Sequence, residues 1–357
     1  MTEQKQLWLA APGKIILREV PVPMPGRGEL LIKVRASLTC GTDLKAYLRG
    51  HNLIPMPGPF GHEFSGTVAA AGRGVKKFRE GDAVMAVHTA PCLKCPYCEK
   101  GLYNLCERIM ETKVLGAFGQ YVLLPEHIAA INTFKKPEGL SFEEAAFLEP
   151  LSCVVHGVGR LGLNVPAENR DARKKRKGPD ETALIFGAGP IGLLHLILLR
   201  AGGVRVAVCA LEGSRLRLSQ QLGAEAVFKP ERLEGFFSRF APLGADYVIE
   251  CTGRKEVWES APRYARRGGR VMLFGGLKKG SPVVFSSSRI HYDELALVAS
   301  FHFCPEDVRQ AYKLLAERRV NVSSLISGTC SLPRAESAFK KLAAGRGIKY
   351  VIKDGMQ

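Results

Sequence analysis

The hydrophobic pattern changes character once along the chain, near Leu140. Before that point, short stretches alternate apolar and polar residues and favour β-branched types: KIILREV from Lys14, ELLIKV from Glu29, FSGTVAAAG from Phe64, GDAVMAV from Gly81 and FGQYVLL from Phe118. Separated by Pro and Gly turns, they predict short antiparallel strands and a mainly β region with loops. Beyond it, SFEEAAFLEPLSCVVHGVGRL opens with a Ser-x-x-Glu capping box, Ser141 and Glu144, and continues as helix. From Thr182 the chain alternates strand and helix: ALIFGAG then PIGLLHLILLRAG, VRVAVCAL then SRLRLSQQLGA, then ADYVIECTG and RVMLFGG. Repeated β-α-β units of this kind predict a parallel sheet with helices on both faces. The tail returns to mixed structure, with EDVRQAYKLLAERRV at helical periodicity.

Length and composition narrow the class. A chain of 357 residues with 46% hydrophobic content buries a large core and suits two domains better than one. The start, MTEQKQLWLAAPGK, lacks the basic, apolar and small-residue succession of a secretory signal, so a cytoplasmic location is expected. The longest apolar run, Ala183 to Leu199, is interrupted by Gly187, Gly189, Pro190, Gly192 and His195, and reads as buried strand, turn and helix rather than a membrane span. Ten cysteines, several at metal spacing, suit a reducing compartment. The net charge of +17 points toward nucleic acid or an anionic ligand, but the basic residues are spread along the chain. Their densest run, Arg173 to Lys177, lies in a segment of loop composition between Pro166 and Pro179 and reads as a solvated insertion.

Cys92, Cys95, Cys98 and Cys106 give C-x2-C-x2-C-x7-C, with Pro91, Pro96 and Gly101 supplying turns. Four thiolates reaching one point at about 2.3 Å saturate a tetrahedral zinc ion, so this lobe, residues 90–108, holds a loop and does no chemistry. A zinc-ribbon nucleic-acid binder would use such a lobe and a high pI, but it leaves two further motifs unexplained.

The first is Gly187, Gly189 and Gly192, a G-x-G-x-x-G between the strand ALIF and a helix opened by Pro190 and Ile191. In that context the glycines allow a tight turn and close approach of a dinucleotide pyrophosphate, while the helix start offers free N–H groups. At the end of the second strand, where such folds place a ribose-binding acid, stands Ala210. Arg215 lies near enough in sequence to meet a 2′-phosphate and Glu212 near enough to supply a displaced carboxylate, so NAD and NADP both stay open.

The second is GHEFSGTVAAAGRGV from Gly61, which matches G-H-E-x2-G-x5-G-x2-V. Cys40 and His62 are suitable zinc ligands, and Glu63 and Glu149 offer carboxylates that complete a site with an open position for water. Together with C-G-T-D at Cys40 to Asp43 and E-P-L at Glu149 to Leu151, this motif makes the chain resemble the zinc-dependent medium-chain dehydrogenases of the alcohol dehydrogenase superfamily over nearly its whole length.

The resemblance implies an α/β fold: a Rossmann doubly wound parallel sheet domain at 154–300, and a mainly β GroES-like catalytic domain at 1–153 and 301–357. It implies Cys40, His62 and Glu149 as catalytic zinc ligands with Glu63 beside the metal. Cys153, four residues after Glu149, falls on a similar side of a helix and is a rival donor, with helix packing as its other role. Glutamate at the third ligand position is the pattern of sorbitol-type polyol dehydrogenases and threonine dehydrogenases. Thr42 falls where the family places a proton-relay hydroxyl; Lys45 replaces the usual relay histidine, and His51 is another exit. Cofactor contacts are implied at Cys251, Thr252 and Gly253, at Phe274, Gly275 and Gly276, and at Ser300 and Phe301, with Lys349 on the pyrophosphate and Phe118 in the substrate pocket wall. The expected activity is hydride transfer between NAD or NADP and a secondary alcohol, a polyol or sugar derivative; the +17 charge adds phosphorylated polyols. Threonine-type amino alcohol oxidation is the alternative. A homodimer or homotetramer is implied, with no nucleic-acid or membrane partner.

Overall fold

The computed structural model describes residues 3–163 and 180–354; the basic run at Arg173 to Lys177 lies outside them. The chain divides into two compact units, Met1–Ser152 with Phe303–Gln357, and Cys153–His302.

In the first unit the strand Leu30–Leu38 pairs antiparallel with Glu63–Ala71, Tyr121–Leu124 and Lys349–Lys353. The sheet extends on one side through Ala83–Ala86 to Thr133–Lys135, and on the other to Ile326–Ser331. A smaller sheet joins Lys14–Pro21, Glu3–Ala11 and Gly58–Pro59. Leu30, Ile32, Val34, Phe64, Val68 and Val84 supply one core, and Leu9, Phe60, Phe118 and Phe339 another. Of these strands, Lys14–Pro21, Leu30–Leu38, Glu63–Ala71, Ala83–Ala86 and Tyr121–Leu124 fall in the segments whose alternation is visible in the sequence. One boundary differs. The Ser141–Glu144 capping box forms, with Glu144 N donating to Ser141 Oγ at 3.1 Å, but its helix spans only Phe142–Ala145. A separate helix, Leu148–Arg160, then accommodates Pro150 in its first turn, where no intrahelical donor is lost.

The second unit is one parallel sheet. Its strands lie in the order Ala226–Phe228, Arg205–Cys209, Thr182–Phe186, Ala245–Glu250, Ala265–Leu273, Ala296–Ala299. In chain order that is third, second, first, fourth, fifth, sixth, so the winding reverses between the first and fourth strands, the place where open α/β sheets bind ligands at their carboxyl ends. All five residues of Thr182–Phe186 are buried, as a central parallel strand requires.

Candidate active site

Strand pairing builds the metal pocket. Leu38 pairs with Glu63, so the residue two past one strand end, Cys40, and the residue just before the other strand, His62, come to the same edge of the sheet. Cys40 is the N-cap of the helix Gly41–Arg49; its Sγ accepts from Thr42 N at 3.4 Å, and Asp43 Oδ2 accepts from Cys40 N at 3.2 Å. Gly61 carries φ +89°, and an added Cβ would lie 2.6 Å from the Phe118 ring, so glycine is required just ahead of His62. Donor atoms of Cys40, His62 and Glu63 all lie within 4.8 Å of one another. One sulfur, one imidazole and one carboxylate in a buried pocket form a borderline-soft donor set that fits zinc. Glu63 Oε1 is buried without a hydrogen-bond partner, as a ligand oxygen would be.

Glu149 is not part of that group. It is buried in the first turn of Leu148–Arg160, and its Oε1 lies 3.5 Å from His88 Nδ1. The His88 ring stands 4.9 Å from that of His62. Cys153 follows Glu149 one turn later on the same helix.

Charge is concentrated here. Burial alone would lower the His62 imidazole, but the Asp43 carboxylate, 3.1 Å away, and then Cys40 hold it well above its ordinary value. Burial and then Glu63 push the Cys40 thiol up, and burial pushes Glu149 up to about 7. A bound cation opposes each of these, since it favours thiolate, carboxylate and neutral imidazole. Asp43 has no assigned role in the sequence reading. A proton held on His62 Nδ1 by that carboxylate leaves Nε2 as the lone-pair nitrogen. Its signal was the i, i+3 spacing of C-G-T-D, which is also a capping box.

Thr42 and Lys45 are half-buried, one turn apart on Gly41–Arg49. His51 follows that helix; Leu53 N donates to its Nδ1 at 3.2 Å, and burial, Lys45 and Arg49 lower its pKa. Lys349 differs from the expected pyrophosphate contact. It is 1% exposed, its ammonium is bound to Glu63 Oε2 and to the Thr39 carbonyl at 2.9 Å, and so it belongs to the metal pocket. Phe118 is likewise core and not pocket wall: fully buried, edge-on to Phe60 at 5.3 Å.

The cysteine lobe closes as its spacing predicts. Donor atoms of Cys92, Cys95, Cys98 and Cys106 lie within 4.8 Å of one another, with Cys95 Sγ and Cys98 Sγ 3.5 Å apart. Pro96 opens the short helix Pro96–Glu99, and Gly101 turns with φ +73°. Burial would raise Cys95, but backbone N–H groups of Cys98 and Glu107 and then the Cys98 and Cys92 thiols bring it down to about 6, while burial pushes Cys98 up to about 12.

In the second unit, Gly189 caps the helix Pro190–Ala201, whose first residues are Pro190 and Ile191. An added Cβ at Gly192 would fall 1.9 Å from the Gly187 carbonyl oxygen, so Gly192 is fixed by packing. At Gly189 it would meet nothing within 4 Å, leaving the space a pyrophosphate needs. Gly187, with φ +99°, faces Thr252. Cys251, Thr252 and Gly253 follow the fourth strand, Phe274, Gly275 and Gly276 the fifth, and Ser300 and Phe301 the sixth. Ala210, buried, follows the second strand and offers no carboxylate. Glu212 caps the helix Gly213–Gln221, and burial lowers Arg215 against the charge of Glu212.

Comparison with known proteins identifies the family. Residues 26–135 match the alcohol dehydrogenase GroES-like domain and residues 190–317 the zinc-binding dehydrogenase domain. The chain is 31% identical over 342 residues to an Aspergillus clavatus protein named "Probable D-xylulose reductase A", covering 91% of this chain and 89% of that one. It is 28% identical over 348 residues to a sorbitol dehydrogenase of Halalkalibacterium halodurans, covering 95% and 96%. A crystal structure from Sinorhizobium meliloti 1021, assigned to the zinc-binding dehydrogenases and bound to NADP, superimposes with a TM-score of 0.86 at 31% identity, covering 99% of this chain and all of that one. No helix among the described residues is long and apolar enough to cross a membrane. The chain therefore belongs to the zinc-dependent medium-chain dehydrogenase/reductase superfamily.

Proposed function

We propose that the chain is a zinc-dependent dehydrogenase that moves hydride between a secondary alcohol of a polyol or sugar derivative and NAD or NADP. The observation that carries this is the convergence of Cys40, His62 and Glu63 donors within 4.8 Å in a buried pocket. The names of the two curated relatives, a D-xylulose reductase and a sorbitol dehydrogenase, favour a polyol or its ketose. The +17 net charge extends the substrate class to polyol phosphates.

In this reading Cys40, His62 and Glu63, whose donor atoms converge, hold zinc, and Glu149, the third ligand by resemblance, is the further carboxylate on offer. When bound, zinc supplies Lewis acidity at the substrate oxygen, which eases loss of the alcohol proton. Thr42 takes that proton through its hydroxyl and passes it outward to Lys45 or His51. Asp43 orients His62, and Lys349 restrains Glu63. Gly187, Gly189 and Gly192 admit the pyrophosphate; Cys251 to Gly253, Phe274 to Gly276, Ser300 and Phe301 line the cofactor crevice. Arg215 and Glu212 decide between NADP and NAD. The assembly is a homo-oligomer.

The test is a panel of polyols, polyol phosphates, simple alcohols and threonine-type amino alcohols, each with NAD and with NADP, followed by absorbance of the reduced nicotinamide. Turnover greatest with polyols or their phosphates supports the reading. Turnover confined to amino alcohols, or none with any alcohol by zinc-loaded protein, contradicts it.

A further inference from the structure

Glu250 closes the fourth strand of the parallel sheet beside the point where the winding reverses, and it is fully buried. A buried carboxyl group is expensive unless donors surround it. Here one oxygen, Oε1, accepts from Thr252 N at 2.6 Å, from Gly253 N at 2.9 Å and from the Thr252 hydroxyl. The Glu250 backbone carbonyl accepts from Phe274 N and Gly275 N, each at 3.0 Å.

The other carboxyl oxygen, Oε2, is buried without a hydrogen-bond partner and abuts Gly275, where an added Cβ would lie 2.7 Å away. The same Cβ would come within 2.3 Å of Gly253 N, so the two loops touch through backbone. Gly275 is fixed from outside by Trp258, whose Nε1 donates to its carbonyl at 2.7 Å. Thr252, gripped by the carboxyl, sets its methyl 3.0 Å from the Cβ position of Gly187.

We infer that Glu250 is the positioning residue of the dinucleotide crevice, its carboxyl group setting the mutual spacing of the loops that follow the first, fourth and fifth strands. This rests on the proposed NAD(P) chemistry and names a residue that chemistry does not itself require. Burial pushes the carboxyl up, and the Thr252, Gly253 and Gly275 donors oppose it.

The test measures dinucleotide affinity on the intact zinc-loaded chain, by calorimetry with NADH and NADPH, for wild type, Glu250→Gln, Glu250→Ala and Thr252→Val. Gln keeps the acceptor oxygen, so its affinity stays within about 3-fold of wild type, whereas Ala weakens binding by about 30-fold or more and Val by about 3- to 10-fold. The melting midpoint without cofactor separates positioning from bulk stability: the inference predicts that Glu250→Ala loses most of its cofactor-induced rise in melting temperature. Unchanged affinity per folded molecule in Glu250→Ala, or no recovery in Glu250→Gln, overturns it. Should Glu250→Ala not fold, Thr252→Val decides by the same measure, wild-type affinity overturning the inference. If wild type itself binds neither dinucleotide, the proposed chemistry fails together with this inference; if wild type binds and the variants bind equally, only the inference fails.

Discussion

Lys349 and Glu63 form an ion pair in which neither side chain keeps more than 1% of its surface exposed. The pair joins the last strand of the chain to the G-H-E motif and fixes one carboxylate beside the pocket formed with Cys40 and His62. Burial would lower the Lys349 ammonium, but Glu63 and then Cys40 raise it above its ordinary value.

Removing one partner strands the other. Lys349→Met leaves a buried carboxylate without its cation and lowers stability by about 3–5 kcal/mol in urea unfolding, while Lys349→Met with Glu63→Gln recovers most of that loss. An unaltered unfolding midpoint in the single variant would show that the pair contributes nothing.

Asp43 acts through His62. Asp43→Asn keeps the shape of the helix cap but weakens the acceptor facing His62 Nδ1, so zinc affinity falls by about 10- to 100-fold, measured by competition with a chromophoric chelator. The cysteine lobe, whose four donors form a separate group, retains its metal. Metal analysis therefore gives about two zinc ions per chain in wild type and about one in Cys95→Ser.

The second and third glycines of the nucleotide turn separate packing from binding. Gly192→Ala drives a methyl into the Gly187 carbonyl and destabilises by more than about 2 kcal/mol. Gly189→Ala meets no protein atom, so it folds like wild type yet weakens NADH and NADPH binding by about 10-fold or more, read by calorimetry. Equal loss of stability in both would remove the argument that Gly189 leaves room for a ligand.

His195 gives the second unit an acid limit. It is fully buried on Pro190–Ala201, its Nδ1 lies 3.0 Å from the Ile191 carbonyl oxygen, and burial lowers its pKa to about 4. The folded imidazole thus binds fewer protons than the unfolded one between about pH 6.5 and pH 4. Its contribution is present above pH 6.5 and is lost as pH falls through that window, on the order of 3 kcal/mol. Denaturant midpoints of His195→Leu should fall less steeply across that range than those of wild type.

Much of this site could be read in the residues alone. C-x2-C-x2-C-x7-C specifies its own geometry because the donors sit in one loop, and G-A-G-P-I-G does so because its constraints are local to one turn. Cys40 and His62 are twenty-two positions apart in the chain, yet the motif names both, and the Leu38 to Glu63 register brings them together. What escaped is what depends on tertiary partners. Lys349 looks like a phosphate contact until the last strand turns its ammonium onto Glu63, and Phe118 looks like pocket wall until Phe60 and Phe339 close around it. Glu149 lies beyond the group of three donors, on the separate helix that starts at Leu148. An acid ending a buried strand carries no motif, so the role of Glu250 rests on tertiary contacts alone.

The most direct test of the account follows one hydrogen atom. A polyol deuterated at its carbinol carbon is incubated with the zinc-loaded chain and NAD or NADP, and the reduced nicotinamide is analysed by mass spectrometry. The account predicts deuterium on the nicotinamide ring with none lost to water, and no transfer after zinc is stripped or in His62→Ala. Deuterium released to solvent, or transfer undiminished without the metal, would contradict it.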